Sequence, residues 1–140
     1  MSLNTHNAVL DALVASLAAA MPSRFVQRSL VDAANEKIER LQAGLLCVVA
    51  KGGGDFANYR GREGDLGTMQ VSVVGFVQVG EKSLPADVER AELSLLGELL
   101  GWVSTTKVLG IDVVTPGDWT QSKQLEHPYG WLVLGLDVKI

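Results

Sequence analysis

The side chains best suited to chemistry in this chain are Cys47, His6, His127 and Lys51, which is followed by Gly52, Gly53 and Gly54. A cysteine nucleophile needs a basic partner to hold it as thiolate, and none stands near Cys47 in sequence. His6 and His127 lie in a terminal cap region and a proline turn, with no metal-ligand spacing to Cys, Asp or Glu. No Gly-x-Ser-x-Gly elbow occurs. The lysine-glycine run has the order of a phosphate loop reversed: a Walker loop ends in Gly-Lys and opens a helix, whereas here Lys51 precedes the glycines and Asp55 follows them. The reading is a protein without catalytic residues, metal or cofactor.

Glu92 is the remaining polar group of interest. Helical projection sets it among Val88, Leu95, Leu99 and Val103. A lone carboxylate there would cost on the order of several kcal/mol in desolvation. Either the helix is rotated enough for Glu92 to reach solvent, or it meets a salt-bridge or hydrogen-bond partner, within the chain or across a subunit boundary.

The elements that must position these groups follow from periodicity. Val9, Leu10, Leu13, Val14, Leu17 and Met21 recur at helical spacing, so a helix is predicted over His6 to Ala20 and ends at Pro22. Ala8, Ala12, Ala15 and Ala19 form a second stripe, suited either to plain exposure or to close contact with another helix. Phe25 to Val31 reads as a short strand. Asp32 reads as the cap of a short helix through Leu41, with Gly44 as its stop. Leu45 to Lys51 is an apolar run of strand length. Gly52 to Gly67, rich in glycine and mixed charge, reads as a long mobile loop.

Met69 to Val79 alternates as a strand, with Val71, Val73, Val77 and Val79 on one face. Ser83, Pro85 and Asp87 open a helix over Ala86 to Val103, whose back carries Ser94, Gly97 and Gly101. Glycines there cost about 1 kcal/mol each relative to alanine, which tight backbone approach to the alanine stripe or to a neighbouring subunit would offset. Ile111 to Thr115 is a strand, Pro116 to Asp118 a turn, Trp119 to Leu125 a continuation, His127 to Gly130 a turn, and Trp131 to Val138 the final strand.

Composition sets the setting. At 140 residues, with no divisive linker or repeat, residues 1–140 form one α+β domain that needs no covalent staple. The single cysteine makes a reducing compartment the expected one. The apolar stretch Val9 to Met21 carries Asp11, lacks a basic flank and is too short to span a bilayer, so export and membrane insertion are not expected. A net charge of -4 leaves no footprint for nucleic acid. Only 20% of residues are charged and mean hydropathy is +0.20, a shortage that points to surface covered by partners.

The order of elements, with the strand MQVSVVGFVQV, the helix opening ADVERAELSLLGELL and the ending YGWLVLGLDVKI, resembles the phage tail terminator family, also called minor tail protein U, over nearly the whole chain. The resemblance implies an α+β fold in which two main helices pack on one face of a four- or five-stranded mixed sheet. It also implies a homo-oligomeric ring, a hexamer in the family, that caps the tail tube, ends its polymerisation and presents the surface that joins the head. Partners would then be further copies of the chain, the tail tube protein and a head-completion or connector protein. The setting would be the virion tail, and the host cytoplasm during assembly.

No family catalytic residue exists to carry over. Asp55, Arg60, Arg62, Glu63 and Asp65 of the glycine-rich loop, with Glu92, are the candidate interaction residues, chosen for charge and expected exposure. Self-association through sheet edges, loop charges and exposed apolar surface is the expected functional act. A head-tail connector or tail-completion protein shares the same plan, and a small-molecule-binding module with the loop as a lid is a reading from another class.

Overall fold

The computed structural model describes residues 5–32, 35–54, 67–105 and 114–139. Eight elements follow in chain order: α1 (Thr5–Ala20), β1 (Phe25–Gln27), α2 (Ile38–Ala43), β2 (Leu45–Gly54), β3 (Thr68–Gln78), α3 (Pro85–Thr105), β4 (Val114–Gln121) and β5 (Tyr129–Lys139). The strands form one mixed sheet in the order β1-β2-β3-β5-β4, with β1 parallel to β2 and the other pairs antiparallel. The fold is α+β.

Alternation along the two central strands decides which face is core. Met69, Val71, Val73 and Val77 of β3 share a face with Leu132, Leu134, Leu136 and Val138 of β5. Val9, Leu10, Leu13 and Leu17 of α1 pack on this face with Leu95, Leu96, Leu99, Trp102 and Val103 of α3. Each leucine so buried is worth about 1.5–3 kcal/mol. The two helices are joined where the Trp102 indole N–H donates to the Ser16 hydroxyl at 3.0 Å. Among the described residues, no helix is long and apolar enough to cross a membrane.

Close approach between helix and sheet happens at strand glycines. A Cβ on Gly75 would come within 2.6 Å of a Leu95 methyl, and one on Gly130 within 2.6 Å of Val88 and 2.7 Å of a Glu92 oxygen. Gly97 and Gly101, where tight packing was expected, face open space. Ala8, Ala15 and Ala19 are exposed as well. Within one chain, then, the small-residue stripes of the two helices do not meet.

The opposite face is only partly covered. α2 packs against β3 there, and Leu41, Leu45 and Cys47 are buried on this side. Val49, Val74, Phe76, Trp131 and Val133 on this face are half-buried, and α2 is the one helix that lies on it among the described residues.

Several boundaries differ from expectation. α2 begins at Ile38 because Asp32 closes a turn, its carbonyl accepting from Asn35 N–H at 3.0 Å; Gly44, at φ +93°, ends the helix as its sequence implies. Gly52, Gly53 and Gly54 belong to β2, paired with Gln70, Met69 and Thr68, so the strand runs past the point where glycine suggested a loop. Lys51 is an extra residue between Ala50 and Gly52, which face consecutive residues of β3. Pro116 to Asp118 is not a turn: β4 is continuous, and Gly117 and Asp118 bulge opposite Gly135. Proline is tolerated because β4 is an edge strand, where a missing N–H breaks no interior ladder.

Candidate interaction surface

Glu92 organises one end of the molecule. It is 0% exposed, so the rotation that would carry it to solvent does not occur. One carboxylate oxygen accepts from the Trp131 N–H at 2.8 Å, the Ser122 hydroxyl at 2.5 Å and the Ser122 N–H at 3.4 Å. The other accepts from the Gln121 amide at 3.3 Å. A carboxylate is acceptor only, and every one of these neighbours is a donor. The arrangement pins α3 to both strands of the β4–β5 hairpin, and the missing side chain of Gly130 leaves the space. Glu92 is therefore bound inside its own chain, not presented at the surface for a neighbouring subunit.

The turn that joins β4 to β5 is held from several sides. Ser122 N–H donates to Trp131 O and Val79 N–H to Pro128 O, the latter following a cis His127–Pro128 peptide. Gln124 donates to Glu89 of α3 at 2.9 Å. The Ser83 hydroxyl is in hydrogen-bond contact with the Gly80 carbonyl and stands 3.0 Å from His127 Nε2. Lys123 and Gln124 both have positive φ, 60° and 66°, a conformation costly for residues other than glycine.

At this end Leu125 is 82% exposed and Leu84, just before α3, is 66% exposed. The start of α3 is fixed by Asp87, which accepts the Leu84 N–H at 2.9 Å and an Arg90 N–H at 2.9 Å. Those contacts, the Leu84 N–H first, hold the Asp87 carboxyl below the usual carboxylate range.

On the open sheet face, the two bulges frame a groove of about 250 Å³. Gly117 and Gly135 contribute its floor, Lys51 and Gln70 stand toward β2, and Asp118 and Asp137 toward β4. The groove is thus positive at one side and negative at the other.

Of the residues singled out from sequence, Asp55, Arg60, Arg62, Glu63 and Asp65 lie outside the described residues, as does most of the loop called mobile. Cys47 is fully buried and burial pushes its thiol up, away from the thiolate a nucleophile requires. Its polar surroundings are the Val31 backbone, Gln27, Glu36 and Arg40. The exposed Leu84 and Leu125 and the groove between Lys51 and Asp137 were missed. The run from Trp119 implies a strand as far as Leu125, whereas Ser122, Lys123 and Gln124 turn the chain before it. In comparisons with known proteins, no family model matches the chain and no curated protein matches it.

Proposed function

We propose that this chain is a structural subunit of phage tail assembly, a terminator that forms a ring on the tail tube, stops its growth and presents the surface to which the head joins. The observation that carries this reading is the thinly covered sheet face, where the short α2 is the one helix among the described residues and Val49, Val74, Phe76, Trp131 and Val133 stay half-buried. Apolar surface of that kind suits a subunit completed by neighbours. The low charged fraction supports the same reading. So does the state of Cys47, which is sealed in the interior. Copies of the chain, the tail tube protein and a head-completion protein are the partners, and the virion tail is the site of action.

Electron microscopy of tails assembled with and without the protein tests the proposal. With it, tubes end at uniform length, carry a terminal ring and bind heads. Tubes of the same uniform length that bind heads equally well in its absence overturn the reading. Rings found on the head instead of the tube would assign the chain to the connector class.

A further inference from the structure

We infer that the β4–β5 turn of one copy docks into the groove between Lys51 and Asp137 on the next copy, in a head-to-tail contact. The turn is a preformed projection. Leu125 stands 82% exposed at its tip, on a backbone that carries positive φ at Lys123 and Gln124 and is fastened to α3 through Gln124–Glu89 and Glu92–Ser122. Ordering it on binding costs little entropy, because it is ordered already.

The receiving groove matches it in size and in charge. About 250 Å³ above Gly117 and Gly135 is room for a leucine side chain, since neither glycine adds a Cβ to the floor. Lys123 and Glu126 flank Leu125 in the turn, and Lys51 faces Asp118 and Asp137 across the groove. With Lys123 toward the aspartates and Glu126 toward Lys51, both ends are complementary. A copy cannot fill its own groove: Asp137 lies about eight residues along β5 from the start of the strand at Tyr129, roughly 26 Å at about 3.3 Å per residue. Turn and groove are different surfaces, so the contact repeats from copy to copy and closes into a ring or extends.

This contact rests on the self-assembly reading above, and disulfide capture separates the two. One variant carries Leu125→Cys and a second Gly135→Cys; a Cβ at Gly135 meets nothing closer than the Asp118 carbonyl at 3.4 Å, an ordinary contact. Cys47 stays in place, buried. Under mild oxidation the mixture should give a disulfide-linked pair and each variant alone should not. In sedimentation, Leu125→Asp should weaken self-association about tenfold or more. Lys123→Asp and Asp137→Lys should each weaken it about two- to fivefold, and the double variant should regain the loss. Cross-linking of the Leu125→Cys variant with itself overturns the head-to-tail contact. Oligomers that form without the mixed disulfide also overturn it and leave self-assembly intact. A protein that stays monomeric at every concentration, uncross-linked, removes both.

Discussion

The two faces of the sheet are built from neighbouring residues of the same strands, yet they are buried to different degrees. Leu134 and Val133 are adjacent in β5; Leu134 lies under the two long helices, and Val133 lies on the face where α2 is the one helix among the described residues. The first face carries the main core, while the second is sealed only around Leu41, Leu45 and Cys47. A strand lets one stretch of sequence seal one row of side chains and leave the next partly open, because its side chains alternate.

That division can be broken or sharpened by substitution. The largest effect is expected at Leu134→Ala, a loss of about 2–5 kcal/mol in denaturant unfolding, against less than about 1 kcal/mol for Val133→Thr. Equal losses at the two positions would show the open face to be core. Glu92→Ala strips the Ser122 hydroxyl and the Trp131 N–H of their acceptor and should cost about 3 kcal/mol. Near-neutral melting of that variant would mean the hairpin stands without its clamp.

The glycines give the next test. Gly130→Ala drives a Cβ against Val88 and Glu92 and should cost about 1–3 kcal/mol. Gly97→Ala meets nothing within 4 Å and should raise stability by about 1 kcal/mol. Thermal melts of the pair, followed by an assembly assay, separate helix stability from any need for a bare helix surface between copies.

The smallest expected effect is at Asp87. Its folded pKa lies below the unfolded value, so its contribution is present above the ordinary carboxylate range near pH 4 and is lost as pH falls through the lower folded value. Asp87→Asn should therefore lower stability at neutral pH and flatten the acid limb of a stability–pH curve. An unchanged acid limb would show that the contacts to Leu84 and Arg90 contribute nothing to folding.

What could be read from sequence was set by the range of the interaction. The spacing of Val9 through Met21, the alternation of Met69 through Val77 and the proline start of α3 are local patterns, and each element stands where its pattern implied. Helical projection also put Glu92 on the core face correctly. Its partners Gln121, Ser122 and Trp131 were invisible, because only the fold brings them to it. Local signals misled where context reversed them: Pro116 suggested a turn and stands in an edge strand, and Gly52, Gly53 and Gly54 suggested a loop and stand in β2. The groove needed both corrections, since it lies between the two bulges that those residues adjoin.

Those bulges also bear on what the rims of the sheet offer to another strand. A flat, unbroken strand edge invites another edge to pair with it and grow into fibres. Here β2 is kinked at Lys51, and β4 combines Pro116, which has no N–H to offer, with a bulge at Gly117 and Asp118. Both interruptions take hydrogen-bonding register away from a second strand that would add to these rims, while the face of the sheet keeps its half-buried valines and aromatics.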